Sequence, residues 1–195
     1  MRVIAGTAKG VPLVVPRGAT RPTTDLVREA VFSALAGWAG TGGSAAESQL
    51  AGLALLDLYA GSGAVACEAL SRGAARAVAV DSGQAAVAAM RANAATTGLP
   101  LNAVRSTVDA FLARPPDAFD IVWLDPPYEM TTDATQSVLE RLVSRGWLAQ
   151  GGVVALERSA RSQPPAWPAG LVPGVVKRYG ETAVYLAHSD PKEAT

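Results

Sequence analysis

The sequence predicts an α/β fold: a mostly parallel, doubly wound sheet that ends in an antiparallel hairpin. Three observations carry this. Apolar runs of strand length alternate with helical stretches at a spacing of roughly twenty to thirty residues, the rhythm of parallel strands joined by crossover helices. Phe119-Asp120-Ile121-Val122-Trp123-Leu124 is a nearly continuous apolar run stopped by Pro126 and Pro127, as expected of a strand covered on both faces and ended by residues with no N–H to donate. Finally, 175–179 and 182–187 flank Gly180, so the chain closes in a hairpin, unlike a plain dinucleotide-binding fold.

At 195 residues the chain can bury one core and is too short for two ordinary domains. It divides into an amino-terminal β-hairpin arm over 1–22, a main domain over 23–188 and a polar tail over 189–195 that is expected to be disordered. Hydrophobic content is 49% without a membrane-length apolar run, and the first residues lack a signal-peptide pattern. On both grounds the protein is expected in the cytoplasm, off the membrane. One cysteine, Cys67, and one histidine, His188, exclude an internal disulfide and a Cys/His zinc site, and no metal is expected. Net charge is zero, yet residues 1–28 hold Arg2, Lys9, Arg17, Arg21 and Arg28 against Asp25 alone, a local +4 balanced by −4 elsewhere. A phosphate-binding face and an ordinary solvated surface both account for that gathering.

The elements follow in order. Two short apolar runs within 1–17, divided by Gly6 and Gly10, read as the hairpin arm. Thr23 or Thr24 can cap a helix over 25–36, whose Leu26, Val27, Ala30, Val31, Ala34 and Leu35 share a face that leaves Arg28 and Glu29 outside. The Gly-rich 37–43 is a linker and the weakest-patterned segment. Ser44 and Glu47 have capping-box spacing for a short helix running to Gly52. Strand 53–58, a glycine turn and helix 64–72 form one unit; strand 76–80 and helix 84–96 form a second. Strand 101–106, a short helix to Arg114, strand 119–124, helix 133–145, strand 153–157, a Pro-rich loop over 163–173 and the closing hairpin complete the chain.

Candidate chemistry gathers at strand ends. Asp125-Pro126-Pro127-Tyr128 follows strand 119–124, at the sheet edge where open α/β folds bind ligands. Asp125 and the Pro126 carbonyl can accept the two hydrogens of an exocyclic amine, and Tyr128 can stack on the base. Asp-Pro is also a common turn starter, a reading that needs no chemistry. Tyr59-Ala60-Gly61-Ser62-Gly63 forms the glycine turn, which loosely fits a dinucleotide fingerprint. Asp57 decides between cofactors: its carboxylate would repel a pyrophosphate but attract the amino group of S-adenosylmethionine. Asp81 suits ribose hydroxyls of either cofactor. Asp109 can accept from an adenine amine, with the backbone of Val108 or Ala110 donating, or it can simply cap a helix. Cys67 reads as packing, and no cysteine stands at the substrate corner to attack a base.

Taken together these residues resemble the RsmD family of bacterial 16S rRNA guanine-N2 methyltransferases. The resemblance runs through Met1-Arg2-Val3-Ile4-Ala5-Gly6, Arg21-Pro22-Thr23-Thr24-Asp25-Leu26-Val27-Arg28-Glu29-Ala30-Val31-Phe32, Leu56-Asp57-Leu58-Tyr59-Ala60-Gly61-Ser62-Gly63, Glu68-Ala69-Leu70-Ser71-Arg72-Gly73-Ala74, Asp125-Pro126-Pro127-Tyr128 and Tyr179-Gly180-Glu181-Thr182. Two departures stand out: Cys67 replaces an expected Gly, and Asp81 stands where Glu is usual. The resemblance implies a Rossmann-like class I methyltransferase fold with a seven-stranded sheet. It also implies S-adenosylmethionine as methyl donor, S-adenosylhomocysteine as product, and a family target of guanine 966. The expected partner is 16S rRNA in the 30S subunit or a late assembly intermediate, met by a monomer through Arg2, Lys9, Arg17, Arg21 and Arg28. Competing readings are DNA adenine-N6 methylation, methylation of a protein glutamine amide, a noncatalytic RNA-binding assembly factor and an NAD-binding module.

Overall fold

The computed structural model describes residues 1–16 and 24–190; the expected phosphate ligands Arg17 and Arg21, and the tail beyond Asp190, lie outside them. In chain order the elements are α1 (Asp25–Trp38), β1 (Ala54–Leu58), α2 (Ala64–Ser71), β2 (Arg76–Asp81), α3 (Gln84–Thr97), β3 (Leu101–Arg105), α4 (Val108–Leu112), β4 (Phe119–Leu124), α5 (Thr132–Ser144), β5 (Leu148–Ser159), β6 (Leu171–Tyr179) and β7 (Thr182–Ser189). They form one seven-stranded sheet in the order β3-β2-β1-β4-β5-β7-β6. The first five strands are parallel, and β7 runs antiparallel to both β5 and β6.

The apolar strands explain the layering. Leu55, Ile121, Trp123 and Ala155 face α1, α2 and α3, while Leu56, Leu58, Val122 and Leu124 face α4 and α5. Because β1 and β4 are covered on both sides, every β1 residue is buried, and each fully buried Leu or Ile there contributes about 1.5–3 kcal/mol.

Four expectations are corrected. On α1 the buried face holds Val27, Arg28, Val31, Phe32, Leu35 and Ala36, while Leu26 is exposed; a buried role for the Arg28 guanidinium turns the helix away from its purely apolar face. The helix to Gly52 is a single 3-10 turn, Ala46–Ser48, with no side-chain cap from Ser44. Thr41 holds the preceding linker by donating to the Ala36 and Gln49 carbonyls at 3.2 and 2.6 Å. Strand β5 begins before its glycines rather than after them: Gly152 sits where a Cβ would come within 3.0 Å of the Asp120 carbonyl, so glycine lets the two backbones approach. Strand β6 likewise starts inside the expected Pro-rich loop.

The first sixteen residues form a narrow hairpin bridged at Arg2 and Pro12, with Val3 N–H donating to the Val11 carbonyl and Leu13 N–H to that of Met1. Val3, Ala8 and Leu13 pack on Ala64 and Cys67. Buried polar groups fasten it. Glu68 accepts from the Ile4 and Ala5 amides at 2.7 and 3.1 Å, Ser71 accepts from Ala8 and donates to the Ala5 carbonyl, and Asn93 bonds both the N–H and carbonyl of Val14. Gly6 has φ +80°, and any Cβ there would collide with the Ser71 carbonyl.

Candidate active site

Parallel register puts four acids on one face at the carboxyl end of four adjacent strands. Asp57 on β1 is level with Ala79 on β2 and Trp123 on β4, and Trp123 with Ala155 on β5. Two residues further along, on the same face, stand Asp81, Asp125 and Glu157. All four acids line one cleft of about 540 Å³, a size typical of small-molecule sites.

The glycine turn forms one wall. Tyr59 adopts φ +62°, an uncommon conformation for a residue with a side chain, and Gly61 and Gly63 follow at φ +54° and +71°. Gly63 caps α2, and its backbone lies so close to Met90 and Leu101 that a Cβ would sit 3.1–3.2 Å from them. Asp81 holds the turn from the neighbouring strand: its Oδ2 accepts from Gly61 N–H at 2.9 Å and its Oδ1 from Gly83 N–H at 2.8 Å. Asn93 adds a bond to the Ser62 carbonyl at 2.9 Å, so one side chain ties the hairpin to the turn.

Asp57 is buried and accepts only weakly from Ala66 N–H at 3.3 Å. Burial, and to a smaller degree the Asp81 charge, push its carboxyl up to about 8 against the Ala66 hydrogen bond. The expected ready-made carboxylate is thus a neutral acid near pH 7 until a cation approaches. Asp125 extends the β1–β4 ladder through its N–H to the Leu58 carbonyl, and burial, then Glu157, then Asp57 hold its carboxyl well above the carboxylate range. Pro126 is buried, Pro127 is exposed, and Tyr128 stands 62% exposed at the cleft mouth.

At the other end, Thr107 caps α4, and Asp109 lies in its first turn rather than at the cap. Its carboxylate is exposed and paired with Arg141. Burial, and then the Asp109 charge, push the Tyr59 hydroxyl beside it up to about 12. Ala110 is corrected: its N–H is taken by the Thr107 hydroxyl at 3.2 Å, and Val108 lines the cleft instead. Cys67 is buried against the hairpin, and burial pushes its thiol up to about 12, far from a nucleophile.

Among the described cations, Arg2 and Lys9 are exposed. Arg28 is corrected: it is 1% exposed, lines the cleft, and donates to the Arg2 carbonyl at 2.7 Å and Asp25 at 2.9 Å. Its guanidinium joins hairpin to helix and does not reach outward for phosphate.

Glu157 and Arg158 are cleft residues that the sequence did not single out. Glu157 ends the apolar run of β5 as Asp57, Asp81 and Asp125 end or follow theirs, so its position was a readable signal. Arg158 was not readable: it donates to Thr135 Oγ1 at 2.9 Å and the Met130 carbonyl at 3.3 Å, holding the segment after Tyr128 by contacts that no spacing reveals.

The family model described as Conserved hypothetical protein 95 matches residues 1–188. Ribosomal RNA small subunit methyltransferase D of Escherichia coli strain K12 is 33% identical over 171 residues, 87% of this chain and 80% of its own. The solved structure of the Escherichia coli protein yhhF superposes with a TM-score of 0.84 at 30% identity, covering 98% of this chain and 99% of that one. The 16S rRNA N2 G1207 methyltransferase RsmC of Thermus thermophilus, solved with AdoMet and guanosine, shares the fold at a TM-score of 0.65 and 23% identity, over 89% of this chain and 44% of its own. The sheet order and these neighbours make the fold that of the class I, Rossmann-like methyltransferases. With its sheet, cleft and amino-terminal signature in place, the chain belongs to the Conserved hypothetical protein 95 family, the RsmD family.

Proposed function

We propose that this protein transfers a methyl group from S-adenosylmethionine to the N2 amine of a guanine in 16S rRNA of the small ribosomal subunit, with guanine 966 as the expected position. The observation that carries the reading is the sharing of one cleft by the glycine turn and the Asp125-Pro126-Pro127-Tyr128 corner. The cleft suits that cofactor: a desolvated carboxyl at Asp57 is ready to ionise beside a cationic amine, and the open backbone turn at Gly61 allows close approach. When bound, S-adenosylmethionine supplies a methyl group already activated by its sulfonium.

The chain's own residues then position and desolvate. Asp125 and the Pro126 carbonyl accept from the amine and aim its lone pair, while Tyr128, exposed at the mouth, stacks on a base swung out of its helix. Asp57 faces the amino acid end of the cofactor, Asp81 the ribose and Val108 the adenine. Arg2 and Lys9, on the hairpin, meet phosphates through contacts that weaken with salt. We read the protein as a cytoplasmic monomer acting on an assembled 30S particle, whose proteins supply docking surface that so few cations cannot. The names of the RsmD relatives support the rRNA substrate.

The test is transfer of labelled methyl to undermethylated 30S subunits followed by nucleoside analysis. Labelled N2-methylguanosine is the expected product; label on adenosine or on protein would overturn the substrate, and no label would leave a noncatalytic binder.

A further inference from the structure

The β1–β4 ladder ends at Asp125, whose N–H reaches the Leu58 carbonyl at 3.4 Å, and neither Pro126 nor Pro127 has an N–H to carry it further. Tyr128 therefore stands on a turn outside the sheet. Met130 N–H closes that turn on the Pro127 carbonyl at 2.9 Å, with Tyr128 and Glu129 as its central residues. Arg158, near the end of β5, grips the far side. Its Nη2 donates to the Met130 carbonyl at 3.3 Å and its Nη1 to Thr135 Oγ1 at 2.9 Å. Thr135 is buried and donates in turn to the carbonyl of Thr131, the N-cap of α5, at 3.0 Å. One guanidinium thus joins the strand, the turn that carries Tyr128 and the start of α5, and it lines the cleft as it does so.

We propose that Arg158 is a positioning residue for base stacking: by fixing the Pro127–Met130 turn, it sets the place from which Tyr128 meets the swung-out guanine. This rests on the proposed function, in which Tyr128 stacks on the base, and adds to it the group that aims the ring. Tyr128 is 62% exposed, so its placement comes from the backbone beneath it rather than from packing of the ring. Both acceptors of Arg158 are neutral, and they lie on different elements. They require two donors held in one plane at a fixed separation, which a guanidinium has and an ammonium lacks. The shape of Arg158 matters to this task and its charge does not. A ring displaced by about 1 Å loses much of its effect on rate, because reactive geometry tolerates little error. The cofactor end of the cleft, built on the glycine turn and Asp81, is left as it was.

The experiment is methyl transfer to undermethylated 30S subunits by wild type, Arg158→Ala, Arg158→Lys, Tyr128→Ala and the Arg158→Ala/Tyr128→Ala double variant. kcat and KM are separated, and S-adenosylhomocysteine affinity is followed by calorimetry. Arg158→Ala should lower kcat roughly tenfold, with KM and S-adenosylhomocysteine affinity within about twofold of wild type. Arg158→Lys, which keeps the charge but not the fork, should lose nearly as much. In the double variant the two losses should not multiply: once the ring is gone, removing its support should lower kcat by less than about twofold more. A merely structural role would multiply with Tyr128→Ala, and a phosphate-binding role would be rescued by Lys. Either result, with N2-methylguanosine still made by wild type, overturns this inference alone, and the Lys variant decides the matter should Ala fold poorly. Failure of wild type to make N2-methylguanosine overturns the proposed function and this inference with it.

Discussion

The hairpin seat and the cleft both bury acids, and they treat them oppositely. Under the hairpin, Glu68 is fully buried but accepts from two backbone amides and pairs with Arg72 at 2.8 Å. In the cleft, Asp57 has one long hydrogen bond, and both it and Asp125 are held as acids well above the carboxylate range. A buried charge with its partners in place belongs to the fold. A buried carboxyl held against its own ionisation, in an open cleft, marks where a ligand completes the electrostatics.

The largest effect expected from breaking the comparison is at the corner. Asp125→Ala should lower turnover by roughly a thousandfold, as loss of a positioning acceptor does, while S-adenosylhomocysteine binding by calorimetry stays within a few-fold. Glu68→Ala should act in reverse: about 3–4 kcal/mol of stability is lost on chemical denaturation, because Arg72 and two amides lose their acceptor, and the hairpin becomes accessible to protease.

Asp57→Asn sharpens the contrast through pH. The Asp57 carboxyl is raised from 3.8 to about 8 in the folded protein, so its contribution to stability is present below about pH 4 and is lost as pH rises through about 8. The variant should match wild type at pH 4 and exceed it by a few kcal/mol at pH 8, on the order set by linkage. Urea titrations at both pH values decide this; equal stability at both would mean the acid is already compensated.

How much of this could be read beforehand differs between the two regions. The parallel strands, the glycine turn and the corner at Asp125 were legible because burial on both faces, positive φ and a proline stop each leave a mark on the residues themselves. The hairpin seat was not. Glu68, Ser71 and Asn93 lie more than sixty residues from the segment they hold; Glu68 and Ser71 fall in a motif that carries the family resemblance, but neither it nor the pattern around Asn93 reveals a clamp on the hairpin. Arg28 misled for the same reason: charge predicts exposure, and the Arg2 carbonyl and Asp25 beside it help make burial tolerable. Asp81 was legible in place but not in its attachment to Gly61 and Gly83.

The smallest expected effect lies on the outer face of the hairpin. Arg2→Ala and Lys9→Ala should each weaken 30S binding a few-fold and reduce the salt slope by about one, with thermal stability unchanged. An unaltered slope would make that face an ordinary solvated surface.

The most direct test of the cleft as an electrostatically incomplete site is a calorimetric titration with S-adenosylmethionine at pH 7 in buffers of different ionisation enthalpy. With the Asp57 carboxyl at about 8, binding of the cationic amine should release most of one proton in wild type and none in Asp57→Asn. Binding without proton release in wild type, or the same release in both proteins, would contradict it.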